Sequence, residues 1–272
     1  MVKKELELYS KNPKTKQEER TGTLKFNSTS EEKAELYFYG DIVSDTWQSY
    51  WYEEDKCPQD IADFLNGLDN YKAIDIYINS GGGSVHAGLA IYNQLKRYAG
   101  EKIVHVDGLA ASIASVIAMA GDKVIVPSTA QIMIHKPWSS LWGGNADDFR
   151  READALDSCQ RAITAVYMEN VKDGVTEGDI TDMVNKETWL TGEEAEKYFN
   201  IEVEQTGNIA ACTSSFFDKY KNTPKEFKKN TENKIEIDYD KMADSLIKRL
   251  QDSEKLKIEE EKAKILEDLD YI

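Results

Sequence analysis

Between Leu36 and Pro137 the chain alternates short, β-rich apolar runs with helical runs, and this alternation constrains the fold more than any other feature. The β-type runs are Leu36 to Tyr39, AIDIYIN from Ala73, KIVHVDG from Lys102, KVIVP from Lys123 and QIMIHKP from Gln131. Between them lie helical patterns over Pro58 to Leu68, over Val85 to Arg97 and over the apolar stretch GLAASIASVIAMAGD from Gly108. Strands separated by helical crossovers of this length pair in parallel, because a tight hairpin can join only antiparallel strands. The expectation is an α/β fold of repeated ββα and βαβ units with a largely parallel sheet. After WSSLWGGN comes a long helical pattern, Ala146 to about Val171. Phe149, Ala153, Leu156, Gln160, Ile163 and Tyr167 line one stripe of it. A helix so long with so narrow a stripe is expected to protrude or to pack on a partner. ITDMVNK, TWLT, GEEAEKYF and IEVE then read as helix, strand, helix and strand.

The 272 residues and their 40% hydrophobic content suit one sizeable core with polar extensions. Residues 1–33 read as a polar N-terminal arm or one added strand, 34–206 as the folded domain, 207–240 as a linker and 241–272 as a charged helical tail. A formal charge of -16 opposes contact with a phosphate backbone, so nucleic acid is not expected as a ligand. Cys57, Cys159 and Cys212 are scattered, with no CxxC pair, and read as free thiols of a reducing compartment. The N-terminus has no apolar run behind its basic residues, and no stretch is apolar enough to span a bilayer. The expectation is a cytoplasmic protein.

Three histidines permit elimination. His105 lies within an apolar strand, where a partner in the sheet accounts for it. His86 follows a glycine loop at a helix start, where capping or packing accounts for it. His135 ends an apolar strand and precedes Lys136 and Pro137, at the strand end where α/β sheets place functional groups. The loop NSGGGSV, Asn79 to Val85, joins a strand to a helix. It lacks both the dinucleotide fingerprint and the lysine of a phosphate loop, which leaves an oxyanion hole or a plain turn. In GLAASIASVIAMAGD, a helix starting near Ala111 places Ser112 in its first turn, beside free backbone N–H groups, and turns Ser115 into packing. Taken alone, Ser112 also fits an ordinary N-cap.

Together INSGGGSVHAG, GLAASIAS, MIHKP and TWLTGEEAEKY, in that order, resemble the caseinolytic protease (ClpP) family over about Leu36 to Val203. AASIASVIAMAGD followed by MIHKPW is similar to the ClpP-related head maturation proteases of tailed phages in particular. The resemblance implies a ClpP/crotonase-like fold in which the long helix is a handle. It implies Ser112 as nucleophile, His135 as general base, and the amides of Gly83 and Ile113 as the oxyanion hole. An extended substrate would lie along Gly82, Pro137 and Trp138. Where the family usually has a triad aspartate this chain has Glu187, with Asp182 as the nearby alternative, and Gly81 stands where a proline is common.

The resemblance further implies a ring-like homo-oligomer and polypeptide substrates. In the phage branch those substrates are scaffold and capsid segments cleaved in the host cytoplasm during prohead assembly. It requires no metal, organic cofactor or membrane. Three other readings stand beside it. One is a signal-peptide-peptidase-A-like protease with Lys136 as base, another an acyl-CoA enzyme of the crotonase type. The third is an assembly or scaffold protein that keeps the fold without catalysis.

Overall fold

The structure is a computed structural model that describes residues 2–11, 18–28, 33–46, 55–68, 71–205, 214 and 216–224. The tail 241–272, expected to be helical, lies outside the described residues. Inside the N-terminal arm the backbone forms two antiparallel strands, β1 (Val2–Lys11) and β2 (Glu18–Ser28), with an irregularity at Leu8/Tyr9.

The domain is built on β3 (Lys33–Phe38), β4 (Ala73–Ser80), β5 (Glu101–Ala111), β6 (Lys123–Pro127) and β9 (Glu202–Glu204), paired in that order and all parallel. β5 is long enough to serve two neighbours. Its first half pairs with β6 at Ile103–His105, while Leu109–Ala111 pair in parallel with β7 (Gln131–Ile134). β8 (Thr188–Thr191) then adds to β7 antiparallel. The mostly parallel α/β architecture expected from the alternating pattern is the one observed.

Local chemistry sets the helix starts. α1 (Pro58–Asn66) has proline at its first position, where the missing N–H costs nothing, and the carboxylate of Asp60 accepts the Cys57 N–H. α2 (Val85–Arg97) is capped by Ser84 and ends on Lys96 and Arg97, which suit the negative end of its dipole. Reciprocal capping boxes start α4 (Ala146–Met168) at Asn145 and Asp148, and α5 (Glu177–Lys186) at Thr176 and Asp179. The same device starts α6 (Gly192–Ala195) at Thr191 and Glu194. α3 (Ile113–Ala118) is short and wholly buried.

The core gathers Leu36, Phe38, Ile74, Ile76, Ile78, Val104 and Val106 from the sheet against Ile61, Phe64, Ile91, Leu95, Val116 and Ile117 from α1, α2 and α3. Truncating one of the leucines or isoleucines among them to alanine costs ~2–5 kcal/mol. α4 divides along its length. Ile163, Val166 and Tyr167 are buried in the domain, whereas Phe149 near its start is 53% exposed. Its C-terminal half is core and its N-terminal half stands out, as the narrow stripe predicts. Among the described residues, no helix is long and apolar enough to cross a membrane.

Candidate active site

The strand β5 delivers Ser112. The ladder to β7 continues one step past Ala111, where the Ser112 N–H donates to the Met133 carbonyl at 2.8 Å. The chain then turns at φ 55, ψ -128 and enters α3 at Ile113. The expected helix start near Ala111 is therefore corrected: Ser112 is the N-cap, held at positive φ between strand and helix. For a residue with a Cβ this backbone state costs ~1–3 kcal/mol, which the surrounding strand and helix must over-determine. A serine on such a strand-to-helix elbow presents its Oγ outward, at the C-terminal end of the sheet. Ser115, expected in packing, is buried. Its hydroxyl donates to the Ser112 carbonyl at 2.6 Å and pairs with the Tyr167 hydroxyl at 2.8 Å.

The glycine loop lies against this elbow. Gly82 has φ +98, and a Cβ there would stand 2.7 Å from both the Ala111 carbonyl oxygen and the Ser112 Cβ. Gly83, at φ +149, would drive a Cβ to 2.1 Å from the Ile42 carbonyl oxygen. Only glycine allows both the conformation and the approach. The loop is braced by Ile42 N–H to Gly82 O (2.7 Å), Ser84 N–H to Ile42 O (2.8 Å) and Gly82 N–H to Ser80 Oγ (3.1 Å). None of these bonds uses the Gly83 N–H. The hypothetical Gly82 Cβ also lies 3.3 Å from the Ile113 nitrogen, so the loop and the start of α3 are immediate neighbours.

β7 ends at Ile134 and places His135 opposite the serine, with Nε2 2.7 Å from Ser112 Oγ. His135 is 8% exposed. Burial lowers its pKa to about 4, against the opposing pull of the Glu187 carboxylate. At neutral pH the ring is uncharged, and with its proton on Nδ1 it would accept the Ser112 O–H at Nε2. A neutral imidazole hydrogen-bonded to a hydroxyl is the arrangement a general base requires.

Glu187 is also buried. It sits at positive φ (52) as the C-cap of α5, just before β8. It is close enough to act electrostatically on His135. Its two carboxylate oxygens accept backbone N–H groups from a later segment, Oε2 from Lys221 (2.9 Å) and Oε1 from Asn222. The Asn222 side chain donates back to the carbonyls of Lys186 (2.8 Å) and Glu187 (3.1 Å). Asp182, the alternative acid, is not brought to the site: it is exposed and pairs with Lys186 at 3.8 Å.

These groups open into a cleft of about 380 Å³ lined by Val43, Gly83, Val85, Ser112, His135, Pro137, Trp138, Leu156, Phe216 and Tyr220, among others. Pro137 and Trp138 are part of the cleft wall. Lys136 is exposed. His105 is the strand histidine expected, stacked on Tyr77 (4.9 Å between centroids) with Nε2 3.6 Å from Asp75 Oδ1. Among the described residues, no group of three His, Cys, Asp or Glu side chains comes together to hold a metal. Cys57 and Cys159 are free thiols, and burial pushes Cys57 up to about 11, so it stays protonated and inert; Cys212 lies outside the described residues.

Sequence reasoning passed over Ser214, Phe216, Phe217, Tyr220 and the amides of Lys221 and Asn222, all within the span read as linker. The available signal was FFDKY, three aromatic residues in an otherwise polar stretch. Exposed linkers do not concentrate aromatics in this way.

Residues 54–202 match the family described as Clp protease. An ATP-dependent Clp protease proteolytic subunit of Staurastrum punctulatum is 33% identical over 56% of this chain and 73% of its own length. The ATP-dependent Clp protease proteolytic subunit 3 of Streptomyces coelicolor is 34% identical over 49% of this chain and 61% of its own length. A ClpP1 mutant from Listeria monocytogenes shares the fold, with a TM-score of 0.52, 23% identity, and coverage of 63% of this chain and 91% of that one. The family match takes in the glycine loop, the serine elbow, the histidine strand and the glutamate turn together, and the chain belongs to the Clp protease family.

Proposed function

We propose that this protein is a serine endopeptidase that hydrolyses peptide bonds in polypeptide substrates. The observation that carries the reading is the 2.7 Å contact between Ser112 Oγ and His135 Nε2, made at a strained elbow and opening into a cleft. Ser112 Oγ attacks the scissile carbonyl while His135 takes its proton, then returns that proton to the leaving amine. Water repeats the sequence on the acyl-enzyme and regenerates the serine. The N–H groups of Gly83 and Ile113 bind the tetrahedral oxyanion, each such donor being worth ~3 kcal/mol. Glu187 supplies the negative charge that stabilises the imidazolium formed midway. Its buried carboxylate takes this role while its oxygens are held by two amides.

An extended substrate lies along Gly82, Pro137 and Trp138, with backbone contacts positioning it and the apolar walls receiving its side chains. The exposure of Lys136 speaks against the lysine-base alternative. The chain acts as a ring-like homo-oligomer, a reading supported by the protruding first half of α4 and by the nearby Trp142, which is 97% exposed. The narrower assignment is cleavage of scaffold and capsid segments during phage prohead assembly. It rests on the similarity of AASIASVIAMAGD and MIHKPW to the phage branch.

The reading is tested with an unfolded, fluorescently labelled polypeptide. Wild-type protein degrades it, and neither Ser112→Ala nor His135→Ala does. Undiminished cleavage by Ser112→Ala would overturn it. Sedimentation velocity tests the ring, and a monomer at every concentration contradicts it. Incubation with a scaffold polypeptide and mass mapping of the products tests the narrower assignment, which fails if the scaffold stays intact while the unfolded polypeptide is cut.

A further inference from the structure

The family match ends at residue 202, yet Ser214 and the segment Phe216–Pro224 reach the catalytic groups from beyond it. Phe217 and Tyr220 are buried with Leu109, Ala111 and Met133, the residues that form the β5–β7 seam beneath the serine. The Tyr220 hydroxyl donates to the Gly81 carbonyl, and its ring meets the His135 imidazole edge-on, with centroids 4.9 Å apart and planes at 74°. Thr223 Oγ1 donates to Phe217 O at 2.7 Å and closes the segment on itself.

Both positions at which the sequence departs from the family pattern meet this segment. A Cβ at Gly81 would lie 2.2 Å from the Ser214 Oγ and 2.3 Å from its Cβ, so a proline there is incompatible with Ser214 in its place. Ser214 in turn donates to Asp41 Oδ1 at 2.6 Å. Glu187 is the second departure, and its carboxylate is gripped by the amides of Lys221 and Asn222. The extra methylene of glutamate over aspartate gives the carboxylate a longer reach from its backbone. Two independent substitutions at the site thus share one structural neighbour.

We propose that Ser214 and the segment Phe216 to Pro224 are a fixed wall of the catalytic site, and that Tyr220 is a positioning residue that holds the His135 imidazole against Ser112. The inference rests on the serine-peptidase reading for its consequence in catalysis, while the contact itself stands apart from that reading. Tyr220 covers the imidazole from one side, and its hydroxyl ties the glycine loop to the same point. The groups facing His135 are Ser112 from the β5–α3 elbow, Glu187 from the end of α5 and Tyr220 from the extension. His86 from α2 and Glu152 from α4 line the same cleft, and Lys219 lies over Trp138 at 5.0 Å. Removing the tyrosine ring admits water to the imidazole and leaves these charges in place.

The test titrates the three histidine rings of the full chain by NMR and, in parallel, measures the rate of fluorophosphonate labelling against pH. In the wild type His135 is expected to titrate at about 4, held down by its burial. In Tyr220→Ala its midpoint is expected to rise toward the ordinary histidine value of ~6.5, and the acid limb of labelling to rise with it. The plateau rate is expected to fall by about tenfold or more as the ring loses its fixed aim. Tyr220→Phe keeps the ring and is expected to keep the wild-type midpoint. Should Tyr220→Ala not fold, Tyr220→Leu is read in the same way, since leucine covers less of the imidazole edge. An unchanged His135 midpoint in the truncated variant overturns the proposal. So does faster labelling, which would make the segment a removable cover. If the wild type is not labelled at all, the peptidase reading fails, and the NMR midpoint alone still decides whether Tyr220 positions the ring.

Discussion

The two sides of the proposed catalytic centre are held by different means. Ser112, the glycine loop and His135 are fixed by the parallel sheet: each lies at the C-terminal end of β5, β4 or β7, and the Ser112 N–H to Met133 O bond stitches two of those ends together. Glu187 sits on a left-handed turn after α5, and its carboxylate is set by amides from a segment outside the family match. The proposed nucleophile and base therefore inherit their positions from the core. The proposed acid depends on a local addition. Damage on the first side should abolish chemistry, and damage on the second should retune it.

The largest effect expected on the sheet side is from His135→Ala, which removes the base and should slow polypeptide hydrolysis by roughly 10²–10⁴-fold with the fold intact by circular dichroism. Gly82→Ala comes next. The added Cβ meets the Ala111 carbonyl and the Ser112 Cβ at 2.7 Å in a backbone state alanine avoids. It should cost ~1–3 kcal/mol in denaturant unfolding as well as most of the activity.

On the other side, Glu187→Gln is expected to slow hydrolysis less, by about 10- to 100-fold. Glu187 raises the His135 pKa, so losing its charge moves the midpoint further below about 4. The rate needs a neutral imidazole and is lost as pH falls through that value. The acid limb of Glu187→Gln must therefore move to lower pH, opposite to that of Tyr220→Ala. Limbs moving together would break the distinction between the two roles.

Gly81→Ala should destabilise by ~1–3 kcal/mol through overpacking on Ser214, and the pair Gly81→Ala with Ser214→Gly should recover part of that loss. Strict additivity in the double variant would mean the two residues do not meet. The smallest effect belongs to Tyr167→Phe, which deletes one of the two partners of the buried Ser115 hydroxyl. It should lower stability by ~1 kcal/mol while the labelling rate is kept.

The contrast also governs what the sequence made legible. Alternating strand and helix runs announced the parallel sheet, because period and crossover length are local properties of the chain. His135 could be singled out by elimination, since a strand-end histidine before a proline has few structural duties. The apolar small-residue run looks helical from about Ala111, whereas pairing with β7 keeps Ala111 in the strand and the Ser112 N–H bond to Met133 O forces the turn onto the serine. The docking of Tyr220 on His135 was out of reach, because a contact spanning so much sequence leaves no periodic trace. Only FFDKY marked the span as something other than linker, and Gly81 and Glu187 registered as departures without a visible cause.

The most direct measurement is to label the wild-type chain with a fluorophosphonate at neutral pH and locate the modification by peptide mass mapping. A single adduct on the serine at position 112, absent from Ser112→Ala and strongly slowed in His135→Ala, is the predicted result. Absence of any adduct, or an adduct that persists in Ser112→Ala, contradicts the account that this elbow and its histidine form a working nucleophile.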